Sequence, residues 1–259
     1  MIPKIIHYIW LGGQDYPPTI QHCIDSWKRL MPDFEFMLWN DETIKDINII
    51  FVKEAVAAKK YAFASDVIRL WALAKYGGVY LDTDVMVFKS FLPLLSHRAF
   101  IGREACMQIN YHTTSYHLTS YCLGAEKENS FILKCLSYYE GRHFLTSTNE
   151  QLPNSMRFDM KNASSIYSEV ARLCGYNPST LAPNEQTCEN GNLVILPPET
   201  FAESGNEAGA FCRHMSIGSW RDTISEEEIY TLGYKIKWRV KACVETVLRH
   251  FGYIMIKQN

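Results

Sequence analysis

The segment from Tyr61 to Phe88, YAFASDVIRLWALAKYGGVYLDTDVMVF, limits this chain's folds more than any other stretch. Phe63, Val67, Leu70, Trp71 and Ala74 recur at helical spacing, which predicts a helix near Tyr61–Tyr76. Gly77-Gly78 supplies a left-handed stop, because glycine alone enters that region without a Cβ penalty. Val79–Leu81 then reads as a short buried strand ending in Asp82-Thr83-Asp84, and Val85–Phe88 continues extended. A helix followed at once by a buried strand points to an α/β layer, and carboxylates at a strand's carboxyl end sit where open α/β sheets place ligands.

The flanking sequence fits that frame. Lys4–Leu11 is an apolar run closed by Gly12-Gly13 and reads as a buried strand and tight turn. A helix is expected over Ile20–Leu30, ended by Pro32, and a second strand over Glu35–Trp39. Residues 42–58 carry a weak helical pattern. Phe91–Leu95 reads as a short helix or turn, Tyr121–Ala125 as a strand, Phe131–Tyr139 as a helix and Leu193–Leu196 as a strand. Between them, Gly141–Ala163 is polar and poorly periodic, so a loop-rich stretch is expected.

Asp82 and Asp84 offer hard oxygen ligands for a divalent cation that also grips phosphates. Two aspartates after a strand can also be a plain turn. Here they follow a buried strand with no basic residue close in sequence, and a cation would balance them. Asp66 and Arg69 are three apart on one face of an otherwise apolar helix. Asp66 could accept hydrogen bonds from sugar hydroxyls, and Arg69 could meet phosphate charge or orient Asp66. Trp10, before Gly12-Gly13, is either a core tryptophan or a stacking platform for a nucleobase. His214 in HMSIGSW is either structural or a third metal ligand, with Gly218 and Ser219 letting backbone approach a diphosphate.

The segments IPKIIHYIWLGG, ASDVIRLWALAKYGGVYLDTDV and HMSIGSW resemble those of the DXD-containing sugar-transferase family, glycosyltransferase family thirty-two. That family includes yeast-type initiating mannosyltransferases and bacterial polysaccharide enzymes, with clostridial toxin glucosyltransferase domains as distant relatives. The matching blocks reach from the N-terminus to about Trp220, and Asp66, Arg69, Gly77, Gly78, Asp82 and Asp84 keep the family's spacing. The resemblance implies a type-A glycosyltransferase fold, a Rossmann-like mixed α/β sheet flanked by helices. It implies retaining transfer from a nucleotide sugar, expected to be a UDP-sugar, with Mn²⁺ or Mg²⁺ as cofactor. By the same resemblance Trp10 stacks on the base, Leu11 and Ser65 flank the donor, and Asp66 and Arg69 bind donor sugar and phosphate. Asp82 with Thr83 contacts ribose or sugar, Asp84 and His214 hold the metal, and Ser219 and Trp220 close over the diphosphate. Asp66, Arg69 and Asp82 are the expected catalytic group. One departure concerns sugar identity: Ser120 stands where relatives often carry an asparagine.

Composition narrows the setting. A net charge of −2 provides no global field for nucleic acid. Residues 235–259 hold six lysines and arginines against Glu245 alone, a local +5 that leaves the remainder at −7. An amphipathic helix is expected there, with Ile236, Val240, Val244 and Val247 on its apolar face and Trp238, Phe251 and Tyr253 near its ends. Residues 1–233 are therefore expected to form the catalytic domain, and 234–259 a basic helix that either packs on it or lies against anionic lipid. Eight scattered cysteines without a CxxC pair fit reduced thiols in the cytoplasm, and the N-terminus lacks a signal-peptide cleavage pattern. A lipid-linked oligosaccharide acceptor would suit that place. Two rivals remain. A haloacid-dehalogenase-type phosphatase also uses Asp-x-Asp after a strand, but on its first strand and followed by Gly-Thr, where this chain has Val85-Met86. The other is an inactive sugar-nucleotide-binding scaffold, against which the intact aspartates and arginine argue.

Overall fold

The computed structural model describes residues 1–110, 113–179, 184–203 and 207–217. The expected C-terminal helix, the 233/234 boundary, Ser219 and Trp220 lie outside the described residues. Contacts group Met1–Met215 into one compact unit.

The chain begins β1 (Ile5–Ile9), α1 (Pro18–Leu30), β2 (Glu35–Trp39), α2 (Ile50–Ala57), α3 (Tyr61–Tyr76), β3 (Gly78–Leu81) and β4 (Val85–Val87). After a short 3-10 turn at Leu92–Ser96 come β5 (Ala99–Asn110), β6 (Thr113–Ala125), α4 (Ser130–Ser137), α5 (Asn154–Arg157) and α6 (Ala163–Leu173). The sheet strands β7 (Gln186–Cys188) and β8 (Leu193–Leu196) and the short β9 (Cys212–His214) complete it.

Among the described residues, seven strands form one mixed sheet in the order β2-β1-β3-β6-β5-β8-β7. β1 pairs in parallel with β2 and β3, giving a Rossmann-like half. β6 runs antiparallel to both β3 and β5, while β8 is parallel to β5. Helices flank this sheet, so the expected fold class is the one observed. Because β6 is reversed, its residues 118–122 lie beside the carboxyl end of β3 and the first half of β5, where Leu81 pairs with Cys122 and Arg103 with Leu118.

Local chemistry explains the elements that carry the site. α3 spans the expected residues and ends at Gly77 (φ +67°), whose N–H donates to Leu73 O. Gly78 (φ +114°) follows, and a Cβ there would stand 2.7 Å from Ile5 O, so β3 meets β1 only with glycine at that point. α1 buries Ile20, Cys23, Ile24 and Trp27, an i, i+3, i+4, i+7 stripe. Trp27 Nε1 donates to Val85 O at 2.7 Å, and Val87 N donates to Ser26 Oγ at 3.1 Å. That helix therefore fixes β4, and with it the turn holding Asp82 and Asp84. β4 pairs antiparallel with β9 in a separate two-stranded ribbon.

Several expectations need correction. The weak pattern over 42–58 yields a helix only from Ile50; an Asn40 cap and successive turns occupy the earlier part. The expected strand over Tyr121–Ala125 is the end of a much longer β6, paired with a long β5. Register shifts between Ile101 and Met107 break the period-2 pattern that would have marked β5. Gly141–Ala163, by contrast, is mainly loop as expected, with α5 as a single turn, and α6 begins at its end on an Asn162 cap.

Candidate active site

Asp82 leaves β3 with its N–H donating to Tyr121 O at 2.8 Å, and Val85 N–H returns to Asp82 O at 3.1 Å. This turn places Asp82 and Asp84 at the carboxyl edge of the sheet. The β4–β9 ribbon sets Val85 opposite His214, and Met215 N–H donates to Asp84 O at 2.9 Å. His214 Nε2 then lies 3.1 Å from Asp84 Oδ1 and 3.9 Å from Asp82 Oδ2. One donor atom from each of the three side chains falls within 4.8 Å of the others. The side chains stay 14–27% exposed, which leaves the group partly open to solvent. Carboxylate oxygens and one imidazole nitrogen suit a first-row divalent ion such as Mn²⁺. His214 stacks on Tyr121, centroids 4.6 Å apart and planes 15° apart. Burial pushes the imidazole pKa down, but Asp84 and Asp82 push it up by more, so it stands above its ordinary value. A metal ion would compete with that proton.

Behind this triad lies a second polar cluster around Arg69, which is 4% exposed. Its Nη2 contacts Asp66 Oδ1 at 2.9 Å and Asp82 Oδ1 at 3.4 Å. Its Nε donates to Ser65 O at 3.2 Å and its Nη1 to Ser120 O at 2.5 Å. The guanidinium lies over the Tyr80 ring at 4.5 Å, and Tyr80 Oη donates to Asp82 Oδ1 at 2.5 Å. Asp82 therefore does have a cationic partner, brought from the preceding helix rather than from neighbouring sequence. Of the two roles open to Arg69, this geometry fits orientation of Asp66 and Asp82, since each guanidinium nitrogen is engaged within the protein. The Asp66 carboxyl is pushed up to about 6 by burial, opposed by Arg69 and reinforced by Asp82.

The other expected residues sort by exposure. Trp10 is half-buried at the end of β1, outside the core. Its Nε1 donates to Gln14 O at 2.6 Å, and its ring meets Tyr16 edge-on at 5.1 Å. With Gly13, Tyr16, Asn40 and Asp41 it lines a cleft of 490 Å³. Gly12 (φ +91°) donates its N–H to Asp41 Oδ2, and a Cβ there would stand 2.7 Å from the Tyr61 ring. Leu11 is 8% exposed, so it offers a ligand backbone rather than side chain. Ser65 Oγ donates to Tyr61 O at 2.9 Å, and Thr83 is half-buried between the two aspartates.

Sequence reasoning missed Glu104, Tyr121 and Glu203. Tyr121 Oη donates to Glu203 Oε1 at 2.5 Å, and Ser164 Oγ donates to Glu104 Oε1 at 2.7 Å. Burial pushes Glu104 up to about 7, with Ser164 opposing and Glu203 adding. These residues come from β5, β6 and the turn after Phe201, and no local motif unites them.

A family model described as the glycosyltransferase sugar-binding region containing DXD motif matches residues 17–101. Residues 17–101 of the chain thus match the sugar-binding region of the DXD-containing glycosyltransferases. The match contains α3 and both aspartates of the DXD motif. Inositol phosphoceramide mannosyltransferase 1 of Schizosaccharomyces pombe is 33% identical over 229 residues, 86% of this chain and 63% of that protein. Inositol phosphoceramide mannosyltransferase 3 of the same yeast is 30% identical over 140 residues, 51% of this chain and 36% of that protein. The chain thus spans from about a third to under two thirds of these relatives' lengths. The solved PaToxG glycosyltransferase superposes with a TM-score of 0.44 at 22% identity, covering 66% of this chain and 69% of that one.

Proposed function

We propose that the chain is a metal-dependent, retaining glycosyltransferase that moves a sugar from a nucleotide donor to a glycan acceptor. The convergence of Asp82, Asp84 and His214 beside the Asp66–Arg69 pair carries this reading. Asp84 and His214 would hold Mn²⁺ or Mg²⁺, with the outer oxygen of Asp82 facing the same point. Such an ion supplies charge neutralisation for the leaving diphosphate. Asp66, fixed by Arg69, accepts hydrogen bonds from donor-sugar hydroxyls. Trp10 offers its face to the base in the cleft it lines with Asn40 and Asp41. No protein nucleophile is nominated, and retention would follow front-face attack by the acceptor hydroxyl.

We take the donor as a UDP-sugar and the acceptor as a lipid-linked oligosaccharide of a bacterial surface polysaccharide, such as O-antigen or capsule. The site of action would be cytoplasmic, at the inner face of the membrane, with residues 235–259 as a basic contact to anionic lipid. Among the described residues no helix is long and apolar enough to cross a membrane. The match over 86% of this chain to an inositol phosphoceramide mannosyltransferase favours a second reading, transfer of mannose to an inositol-bearing lipid.

A thermal-shift panel of UDP- and GDP-sugars, with and without Mn²⁺, tests the proposal. The true donor stabilises the fold by mass action, about 2.7 kcal/mol at a hundredfold excess over Kd, and only with metal present. Stabilisation by no nucleotide sugar, or equal stabilisation with chelator, would overturn it.

A further inference from the structure

The open triad is assembled from two separate sheets. Asp82 follows β3 of the seven-stranded sheet, whereas His214 ends β9 of the two-stranded ribbon. Tyr121, on β6 and buried, touches both sides. Its carbonyl accepts the Asp82 N–H at 2.8 Å, and its ring stacks on the His214 imidazole with centroids 4.6 Å apart. The phenol oxygen is held in turn. Tyr121 Oη donates to Glu203 Oε1 at 2.5 Å, with Phe201 O further off at 3.4 Å. The 3-10 turn Pro198–Phe201 delivers Glu203 to that position. Phe201 is buried against Gly102 of β5, where a Cβ would collide with its ring. Ala202 then enters the left-handed region (φ +54°), which a non-glycine residue keeps only where its surroundings enforce it. Glu203 N–H donates back to Pro198 O at 3.0 Å, and Phe211 N–H, leading into β9, donates to Thr200 O at 2.8 Å. The turn that presents Glu203 is thereby bonded to the chain that carries His214.

An imidazole ligand binds well only when its ring is aimed correctly, and the groups behind it set that aim. We propose that Tyr121 and Glu203 are positioning residues for His214. The Glu203 carboxylate pins the phenol, the phenol ring sets the plane of the imidazole, and Nε2 is thereby aimed at the point that Asp82 and Asp84 share. Because the Tyr121 carbonyl also holds the Asp82 turn, one residue keeps ribbon and sheet in register at the triad. This inference rests on the metal-dependent reading of that triad. A rival account is charge alone, since the Glu203 carboxylate also lies within electrostatic reach of His214. Substitutions separate the two, because only the positioning account needs the hydroxyl of Tyr121.

The test measures Mn²⁺ affinity of the full chain by electron paramagnetic resonance of the free ion, with no nucleotide present. Tyr121→Phe keeps the ring and removes its hydroxyl, and should raise the Mn²⁺ Kd about tenfold. Glu203→Ala should do the same. Glu203→Gln should stay near the parent value, because the amide oxygen still accepts from the phenol. The double variant Tyr121→Phe/Glu203→Ala should bind no more weakly than the weaker single variant, since both act through one bond. Equal loss in Glu203→Gln and Glu203→Ala, with Tyr121→Phe at the parent affinity, would show a charge effect and overturn the inference. A lowered Tm with unchanged Mn²⁺ affinity in Tyr121→Phe and Glu203→Ala would reduce both residues to packing and overturn it as well. His214→Ala tests the underlying reading separately: binding as tight as the parent's would remove His214 from the metal site. The positioning role is then decided without metal, by crystal structures of the parent and Tyr121→Phe. Displacement of the imidazole from Asp84 in the variant alone would support it, and an identical ring position in both would overturn it.

Discussion

The Arg69 cluster and the His214 cluster share Asp82 yet differ in their balance of charge. Around Arg69, one nearly sealed guanidinium meets Asp66, Asp82 and two backbone carbonyls, and a tyrosine ring covers it. Around His214, two carboxylates face one imidazole in a group that stays partly open to solvent. A buried ion pair is rarely a net source of stability, but breaking one leaves a charge without compensation. An open, acid-rich group instead gains its missing charge from whatever binds. The first cluster is therefore built to hold geometry and the second to hold a ligand, and substitutions should separate them.

The largest effect is expected at Arg69. Arg69→Ala leaves Asp66 and Asp82 without their cation and should lower stability by about 3–5 kcal/mol. Arg69→Lys should recover little of it, since an ammonium cannot span the carboxylates and both carbonyls in a planar fork. Urea unfolding without ligand reads both. A loss under 1 kcal/mol in Arg69→Ala would erase the distinction between the clusters.

Asp84→Asn should behave in the opposite way. The amide is nearly isosteric, and His214 retains Tyr121 beneath it. Ligand-free unfolding should barely change, while transfer falls by about 10²–10³, the scale for removing one preorganised charge-stabilising group. Stabilisation by Mn²⁺ should vanish as well. Near-normal transfer at saturating donor would remove Asp84 from the proposed metal site.

How legible these clusters were follows from how each is assembled. Asp66, Arg69, Asp82 and Asp84 lie within nineteen residues on one helix, one tight stop and one strand. Periodicity and the Gly77-Gly78 stop expose that arrangement directly, and β1, α1 and β2 were legible for the same reason. The remaining half of the sheet is joined by distant pairings, β5 with β6 and β8, and its register shifts blur the alternation that identifies strands. Glu104, Tyr121 and Glu203 reach the site only through that half, so no local spacing could reveal them. The contact from Arg69 to Asp82 was hidden for a related reason: it crosses from helix to strand, a neighbourhood that sequence proximity does not report.

His7 sharpens the comparison as a buried polar group with no charge to balance. Trp39 Nε1 donates to its Nδ1 at 3.2 Å, which makes Nε2 the protonated nitrogen, donating to Gly77 O at 2.7 Å. Burial lowers its pKa to about 4, against the raising effect of the Gly77 carbonyl. Below pH 6.5 the unfolded chain takes up a proton here that the folded chain refuses until about pH 4. Stability should fall as pH drops through that window, by up to ~3 kcal/mol. Asp66 runs the other way. With its folded pKa pushed up to about 6, its contribution is present at low pH and lost as pH rises from about 4 to 6. The two slopes oppose each other, so Asp66→Asn should steepen the acid loss measured by urea unfolding between pH 4 and 6. An unaltered slope would mean that Asp66 titrates alike in the folded and unfolded chain.

The smallest expected effect asks whether the logic of the open cluster extends to the cleft beside Trp10, proposed above to take the base. Trp10 is half-buried, its indole N–H already serves Gln14 O, and its ring borders the cleft beside Asn40 and Asp41. A stacking platform removed by Trp10→Ala should weaken nucleotide binding by about 1–3 kcal/mol while ligand-free stability changes little. A core tryptophan would instead lose about 3–5 kcal/mol of stability on truncation, as expected for Trp27, which is fully buried and bonded to Val85 O. Trp27→Ala is therefore the matched control within the same fold. Calorimetric UDP affinity and urea unfolding on both variants read the contrast. Unchanged UDP affinity with lost stability at Trp10 would place it with Trp27 as packing, and the base would need another platform along the cleft.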